Sequence, residues 1–182
     1  MVERRAGRRL RSVKPAAPSA KPAAPEPSAS EPPAGAVTIR RGVVEDAAAV
    51  AGVYVESRRH AGPLIPRMPH SDDDVRTWFA SIVLVDHEVW VAEAAGRIVA
   101  IMVLRGESLD QLYVAPAAQR LGIGRKLLEH AKARRRRLRL FTFAANEPAR
   151  AFYERHGFRA IAFGDGTTNE EAAPDVLYEW AR

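Results

Sequence analysis

The stretch "APAAQRLGIGRKLLEHAK", from Ala115 to Lys132, places two glycines one residue apart at the start of an amphipathic helix pattern. Ile123, Leu127 and Ala131 recur at helical spacing and predict its buried stripe. The charged residues between them are predicted to face water: Arg125, Lys126, Glu129 and Lys132. The first amides of a helix lack intrahelical acceptors and lie at the positive end of its dipole, and glycines admit a ligand close to the backbone. The pattern therefore favours an anion such as a pyrophosphate at this helix start.

Two known phosphate-binding loops do not fit this stretch. A dinucleotide fingerprint needs a third glycine where Leu127 stands, and a P-loop needs a lysine where Arg125 follows Gly124. What remains is the pattern Q-x-x-G-x-G, from Gln119 to Gly124, one short link after a strand pattern. A tight strand–helix turn, whose glycines serve packing alone, is the alternative at this point.

Strand and helix patterns alternate on both sides of the glycine stretch. The predicted strands cover residues 37–41, 88–94, 98–105, 109–114, 138–143, 158–163 and 176–180. Besides the helix of the quoted stretch, the predicted helices cover residues 45–59, 71 to about 84, and 146–156. The second of these begins at a capping signal formed by Ser71 and Asp74. The order predicts an α/β protein in the broad sense, with helices packed on a mixed sheet.

Two motifs in this order resemble the GNAT superfamily of acetyl-CoA-dependent N-acetyltransferases. The Q-x-x-G-x-G pattern between "LDQLYVAP" and "GRKLLEHAK" is similar to its acetyl-CoA motif, and "NEPARAFYERHGF" (146–158) is similar to its later strand–helix segment. The resemblance covers residues 37–182. It implies a central mixed, mostly antiparallel sheet of about seven strands, with a splayed central strand pair and four flanking helices. The final segment, from "NEE" through "PDVLYEW", looks like a bacterial GNAT subgroup of unknown substrate.

The resemblance implies an enzyme that moves an acetyl group from acetyl-CoA to a primary amine by direct attack in a ternary complex, without a metal. The chain contains no cysteine and no G-x-S-x-G motif, which excludes a thiol acyl-enzyme and a serine nucleophile elbow. A lysine-like amine has a pKa of about 10.4, so it must lose a proton before it attacks. The leaving thiolate must then receive a proton or a hydrogen bond.

The resemblance also implies the site residues. The strand before the glycines, which is bulged and splayed in the family, meets the pantetheine arm, and the amides after it hold the pyrophosphate. The cofactor-binding residues expected on this basis are Leu112, Tyr113, Val114, Gln119, Arg120, Leu121, Gly122, Ile123, Gly124, Arg125 and Asn146. Arg120 and Arg125 could instead be solvated surface, and Asn146 could be an ordinary helix N-cap. Tyr153 matches the family's general acid; the alternative is an aromatic residue packed on the sheet.

The candidate base is Asp110, because some family members place a carboxylate on this central strand. Glu93, His60 and His70 are further candidates, and a water chain to bulk solvent is as plausible. The loops over residues 63–74 and 164–175 are expected to shape the acceptor site. The second loop is acidic and would favour a cationic amine, unless it is simply solvated. Its carboxylates are Asp165, Glu170, Glu171 and Asp175.

The charge of the chain is concentrated at its beginning. The 182 residues carry a net charge of +6, of which residues 1–36 contribute +4. Residues 14–36 are rich in Pro, Ala and Ser, which predicts a disordered linker before a folded domain over 37–182. The basic arm could alternatively tether nucleic acid or an acidic surface, or act as an organelle transit peptide, although its glutamates count against the last. The chain shows neither a bilayer-spanning apolar run nor a secretory signal, so we expect a cytoplasmic protein without a membrane partner.

Two other functions stay open at this stage. One is a GNAT-fold module that binds CoA without catalysis. The other is a nucleic-acid-associated protein that uses the arm and "KARRRRLR" (132–139). No aromatic residue interleaves with that run, so nucleic acid is not the expected partner. The resemblance also allows a homodimer, because many family members are dimers, but no surface stripe in this sequence argues for one. His130 and His156 are predicted to be solvated on helix surfaces.

Overall fold

Residues 36–182, which a computed structural model of the protein describes, form seven strands and four main helices. The strands are β1 (Thr38–Arg41), β2 (Glu88–Ala94), β3 (Arg97–Arg105), β4 (Ser108–Val114), β5 (Arg137–Phe143), β6 (Arg159–Gly164) and β7 (Asp175–Ala181). The helices are α1 (Ala47–Ala61), α2 (Asp72–Trp78), α3 (Ile123–Lys132) and α4 (Glu147–Arg155). The predicted arm over residues 1–36 lies, apart from Ala36, outside the described residues.

The seven strands form one sheet in the order β1-β2-β3-β4-β5-β7-β6. Every neighbouring pair is antiparallel except β4 and β5, which are parallel. This confirms the predicted mixed, mostly antiparallel sheet with four helices. The helix α2 continues through a π-helical turn (Phe79–Val83) and a last helical turn (Leu84–Asp86). None of the helices within residues 36–182 is long and apolar enough to cross a membrane.

The two parallel strands diverge soon after they meet. They are paired only at Ser108 and Arg139, near the start of each strand, and the Arg139 amide also donates to the Glu107 carbonyl at 2.9 Å. On the other side of β4, the register with β3 shifts at Asp110, which is the extra residue of a β-bulge. The predicted splayed central pair is therefore confirmed, and the gap opens toward the carboxyl ends of β4 and β5.

The sheet is buried on both faces by two apolar clusters. One cluster packs α3 and α4 on the sheet, with Leu127, Leu138 and Tyr178 at its centre. The other packs α1 and α2 on the opposite face, around Val50 and Phe79. Alternate residues of β3 enter the two clusters, which is why this strand reads as a continuous apolar run. The position of β4 is thereby fixed between helices on both faces.

The buried stripe of α3 is confirmed, but one of its predicted solvent-facing residues is not solvated. The side chain of Lys132 is only 12% exposed. Its Nζ donates to the His156 carbonyl at 2.6 Å and lies 5.2 Å from the centre of the Trp180 ring. The expectation that Lys132 faces water was wrong, because the end of α4 and strand β7 pack over the last turn of α3.

The prediction that His130 and His156 are solvated was also wrong. The His130 ring lies 4.1 Å from the Trp90 ring, its Nε2 is buried, and burial lowers its pKa. The Nδ1 of His156 lies 2.7 Å from the Phe152 carbonyl. Helical periodicity shows which residues share a helix face, but it does not show the strand or loop that lies beside the helix.

The capping box at the start of α2 provides a test of the local structure. Ser71 Oγ accepts from the Asp74 amide at 3.2 Å, and the Asp74 carboxylate accepts from the Ser71 amide at 3.2 Å. We expect Ser71→Ala to lower the free energy of unfolding by about 1 kcal/mol, since the first-turn amide loses its acceptor. Urea denaturation measures this loss.

The control for this prediction is Ser81→Ala. The Ser81 hydroxyl donates to the Thr77 carbonyl on an exposed face and caps no free amide. Its loss is expected to change the free energy of unfolding by less than about 0.5 kcal/mol. Equal losses in the two variants would contradict the assigned role of the cap.

Candidate active site

The helix start at Gly122 is open to solvent. Residues 119–122 are exposed, and Gly122 is the N-cap of α3, without a side chain to occupy the first amides. The amides of Ile123, Gly124 and Arg125 have no intrahelical acceptor at these positions. No ion pair within residues 36–182 involves the exposed Arg120 or Arg125. The loop therefore presents amides and two cationic side chains that can meet an anion.

The fold makes different demands at the two glycine positions. Gly122 has φ +77°, in the left-handed region that favours glycine. Gly124 is in the first turn of α3, and a Cβ there would lie 3.6 Å from both Phe152 and Val114, which is ordinary contact. Neither the backbone nor the packing of the described residues requires glycine at position 124. A turn built for packing alone therefore accounts for Gly122 but leaves Gly124 unexplained.

The edge of β4 beside the gap has free backbone groups. The Ala115 amide donates to the Val99 carbonyl of β3 at 2.9 Å. Because alternate residues of a strand direct their backbone groups to opposite sides, those of Leu112 and Val114 point toward the gap. The Val114 carbonyl already accepts from Ser57 Oγ at 2.9 Å and from Gln119 Nε2 at 3.1 Å. Of the predicted strand residues, Leu112 and Val114 thus line the gap through their backbones, whereas the backbone of Tyr113 faces β3.

Tyr153 lies on α4 and is only 8% exposed. Its ring packs against Phe152, Phe158 and Tyr178, with centroid distances of 5.2, 5.6 and 6.4 Å. Burial raises the pKa of its hydroxyl, and the nearby Tyr113 raises it further. The hydroxyl therefore stays protonated and can act as a donor at neutral pH. The ring therefore has the packing role that was the alternative, and its hydroxyl also interacts electrostatically with Tyr113.

Four residues form what we call the α1 polar cluster: Tyr54, Arg58, Tyr113 and Glu171. The Tyr54 and Tyr113 rings meet edge to face at 4.9 Å, and burial raises the pKa of both hydroxyls. The guanidinium of Arg58 lies 5.6 Å from the centre of the Tyr54 ring and forms an ion pair with Glu171 at 3.0 Å. It also lies 5.9 Å from the ring of Phe143, the last residue of β5. The cluster is therefore at the open end of the β4–β5 gap.

The sequence analysis singled out neither Tyr54 nor Arg58 as a functional residue. No motif surrounds either residue, and Arg58 is 113 positions from its partner Glu171. The available signal was the helical face of α1: Arg58 follows Tyr54 by four residues and therefore lies on the same side of the helix. That signal does not reveal that the loop between β6 and β7 reaches this face.

Asp110 lies away from this cluster, at the closed end of the gap. Its carboxylate accepts from Arg105 Nε at 3.0 Å and from the Ser108 hydroxyl. Of the other proposed bases, Glu93 pairs with Arg40 at 2.9 Å, and His70 lies 3.2 Å from Glu170. The assignment of Asp110 as the base stays a prediction, and its position does not bring it next to Tyr153.

The remaining predicted residues have structural partners. Asn146 caps α4, where its Oδ1 accepts from the Ala149 amide at 3.2 Å. In the β6–β7 loop, Glu170 and Glu171 face His70 and Arg58, and the buried Asp175 accepts from Asn169 at 3.1 Å. The acidity of this loop is thus partly neutralised by its neighbours. Residues 36–182 contain no group of three or more His, Asp or Glu side chains suited to a metal ion.

The basic run over residues 132–139 is also largely paired. Arg135, Arg137 and Arg139 form ion pairs with Glu88, Glu107 and Glu179, respectively. The Arg134 guanidinium lies 4.9 Å from the centre of the Trp90 ring. These contacts neutralise much of the charge that a nucleic-acid surface would need, which weakens that alternative.

Comparisons with known proteins agree on one family. The family model described as an acetyltransferase (GNAT) domain matches residues 85–160. The peptidyl-lysine N-acetyltransferase YiaC of Escherichia coli K12 is 33% identical over 79 residues, which are 43% of this chain and 54% of YiaC. The 5-NmdU N-acetyltransferase of Pseudomonas phage PaMx11 is 55% identical over 69 residues, 37% of this chain and 46% of the phage protein. The chain thus spans about half the length of these curated relatives.

Solved structures share the fold over most of the described residues. The solution structure of apo YjaB from Escherichia coli has a TM-score of 0.67 at 23% identity and covers 80% of this chain and 97% of YjaB. The structure of yncA from Salmonella typhimurium with its cofactor acetyl-CoA has a TM-score of 0.62 at 19% identity and covers 81% and 94%. At these identities the likeness shows the fold.

The different demands at the two glycines predict opposite effects on stability. Gly122→Ala is expected to lower the free energy of unfolding by about 1 to 2 kcal/mol, because alanine is strained at positive φ. Gly124→Ala is expected to raise it by up to about 1 kcal/mol, because alanine is the better helix former. Urea denaturation of both variants and of the wild type measures the two changes in the free energy of unfolding. A large loss of stability in Gly124→Ala would show that packing alone requires this glycine.

Proposed function

We propose that this chain, which belongs to the GNAT superfamily, transfers an acetyl group from acetyl-CoA to a primary amine of a small molecule or protein. The match over residues 85–160 and the shared fold confirm the resemblance drawn from the two motifs. The observation that carries the proposal is the gap between β4 and β5, which opens beside the exposed glycine start of α3. We propose residues 37–182 as the acetyltransferase domain.

Acetyl-CoA is assigned to the gap and to the helix start. In this proposal the pantetheine arm pairs with the backbone of Leu112 and Val114 beside Tyr113, and the pyrophosphate meets the amides from Gln119 to Gly124. Arg120 and Arg125 add positive charge, because both are exposed at this loop. The side-chain amide of Asn146 is a further donor, since its Oδ1 is used for capping. The structure of yncA with acetyl-CoA supports this choice of co-substrate.

The reaction in this proposal is a direct transfer. The amine nitrogen attacks the thioester carbon, so that a C–N bond forms and the C–S bond breaks. Tyr153 donates its hydroxyl proton to the departing thiolate and regains a proton from solvent. Because the acceptor enters as an ammonium ion and leaves as an amide, one proton is released to solvent per turnover. Tyr153 suits the acid role, since its hydroxyl is held protonated by burial.

The ammonium group of the acceptor is proposed to lose its proton through water. Asp110 was the candidate from sequence, but its carboxylate is engaged by Arg105 at the closed end of the gap. A chain of water from the open end of the gap to bulk solvent is the route that fits the described residues better. The proton has to leave before the attack, because an ammonium nitrogen has no lone pair.

The relatives do not select one acceptor. YiaC is named for peptidyl-lysine and the phage protein for 5-NmdU, and each match covers less than half of this chain. The family match begins at residue 85, after α1, and ends at residue 160, before the β6–β7 loop. The residues of the α1 polar cluster on these two elements are therefore outside it. The acceptor is therefore proposed only as a primary amine. The alternative is a module that binds CoA without turnover, and a kinetic assay of CoA release distinguishes it from an enzyme.

The first test concerns the helix start. We expect Gly124→Ala to weaken CoA binding by about tenfold or more, or about 1.4 kcal/mol, because the new methyl group would lie 3.6 Å from Val114, beside the strand edge assigned to the ligand. Isothermal titration with CoA measures the affinity. Gly52→Ala is the matched control: Gly52 is also within a helix, and a Cβ there meets nothing within 4 Å. An unchanged affinity in Gly124→Ala would remove the support that this glycine gives to the cofactor site.

The second test concerns the acid. Tyr153→Phe is expected to lower kcat about 10²-fold or more while CoA affinity stays unchanged, because the thiolate loses its proton donor. Release of CoA during turnover measures kcat. Tyr178→Phe is the control. It also removes a buried tyrosine hydroxyl, but this hydroxyl donates to Glu154 Oε1 at 2.6 Å and does not face the gap. Equal kcat in wild type and Tyr153→Phe would exclude Tyr153 as the acid.

The pH profile of the wild type gives an independent check on this role. Burial raises the pKa of Tyr153 above the ordinary value of 10.0, so the acid keeps its proton as the pH rises. At the same time the amine loses its proton and becomes reactive. We therefore expect kcat/KM to rise from pH 7 to pH 10 without an alkaline decline. A decline in this range that Tyr153→Phe abolishes would contradict the raised pKa.

A further inference from the structure

The guanidinium of Arg58 is buried but has unused hydrogen-bonding capacity. Its side chain is 7% exposed, and its Nη2 donates to the Pro66 carbonyl at 3.1 Å and to Glu171 Oε1 at 3.0 Å. The Nη1 reaches the Tyr54 hydroxyl only at 3.4 Å. The Nε is buried and has no partner within residues 36–182. Buried donors of this kind are normally paired, so the Nε can donate a hydrogen bond to a further ligand.

The location of Arg58 relates it to the acceptor. Its partners belong to the two loops that follow α1 and β6, and Phe143 beside it ends β5. The guanidinium also acts on the Tyr113 hydroxyl by its charge and as a hydrogen-bond donor, and Tyr113 in turn acts electrostatically on Tyr153. If the proposed function is correct, the amine must enter from this open end of the gap. Arg58 and Glu171 are then among the groups that it meets.

The pair has one positive and one negative charge, and its carboxylate is reachable, since the side chain of Glu171 is 18% exposed. A simple cationic amine could use Glu171 but would leave the Nε of Arg58 without an acceptor. An acceptor with a phosphate group would place two further negative charges beside the Glu171 carboxylate, which would repel them. A zwitterion replaces one internal ion pair by two pairs with the ligand and leaves the net charge of the site unchanged. Guanidinium groups also bind carboxylates through two parallel hydrogen bonds.

We propose that Arg58 and Glu171 bind the carboxylate and the ammonium group of an acceptor that carries both close together, as a free α-amino acid does. This inference rests on the proposed function and narrows its acceptor. The same ammonium group loses its proton to solvent and becomes the attacking amine. Arg58 is thus a specificity-determining residue, and it takes no part in the bond changes.

The test compares the free L-α-amino acids with their C-terminal amides, which keep the ammonium group but lack the carboxylate. CoA release is measured with the full chain and acetyl-CoA for both sets. We expect at least one amino acid to be acetylated and its amide to show a kcat/KM about 10²-fold lower, the scale of loss for one partner of a buried charge pair. Arg58→Gln should make kcat/KM similar for the free amino acid and its amide. Arg58→Lys should restore part of the preference for the free amino acid.

Two controls separate specificity from loss of structure. Arg59→Gln changes the adjacent exposed arginine, which pairs with Asp72, and should keep the preference for the free acid. Acetyl-CoA affinity is measured for every variant, because Arg58→Gln should leave it unchanged. If Arg58→Gln does not fold, Glu171→Gln serves instead, and it should raise KM for the amino acid and its amide alike.

Two outcomes would overturn the inference while the proposed function stands. One is equal turnover of amino acids and amides by the wild type. The other is turnover of a lysine peptide or an amine-bearing nucleotide while no free amino acid is either acetylated or bound in ligand-observed NMR. Absence of acetyl-CoA binding would instead overturn the proposed function, and the inference with it.

Discussion

The architecture depends on the single pairing between Ser108 and Arg139, where β4 and β5 meet. Beyond it, each strand is held by its other neighbour: β4 by β3, and β5 by β7 over seven residue pairs. The gap thus lies between two halves of the sheet, each held by its own strand pairs. Helices pack on both faces of the sheet, and the backbone of Leu112 and Val114 has no strand partner on the side of β5.

Much of this could be predicted from the sequence because the information was local. The strand and helix order follows from periodicity, the α2 start from Ser71 and Asp74, and the cofactor side from the glycine pattern and its resemblance to a known family. The errors at Lys132 and His130 have one physical cause. Periodicity describes a helix by itself, whereas Trp180 and Trp90 reach those residues from distant strands.

The acceptor side was harder to predict because it depends on contacts between distant segments. Arg58 and Glu171 are 113 positions apart, and neither is part of a motif. The family match begins after α1 and ends before the β6–β7 loop, so the shared region holds the proposed cofactor residues. The segments that bring Arg58 and Glu171 together lie outside that match. This division is consistent with relatives that are named for different acceptors.

The two hydrogen bonds at the Val114 carbonyl make the free edge of β4 chemically different at its two ends. Ser57 and Gln119 occupy both lone pairs of this oxygen, so Val114 can offer a ligand only its amide. Leu112, two residues deeper, keeps both its amide and its carbonyl. The strand edge therefore offers one donor at the mouth of the gap, the Val114 amide. Deeper in the gap it offers a donor and an acceptor, the amide and carbonyl of Leu112. The two positions along this edge are therefore not equivalent for a chain of amide groups such as the proposed pantetheine arm, which must bring an acceptor to Val114 and can bring both a donor and an acceptor to Leu112.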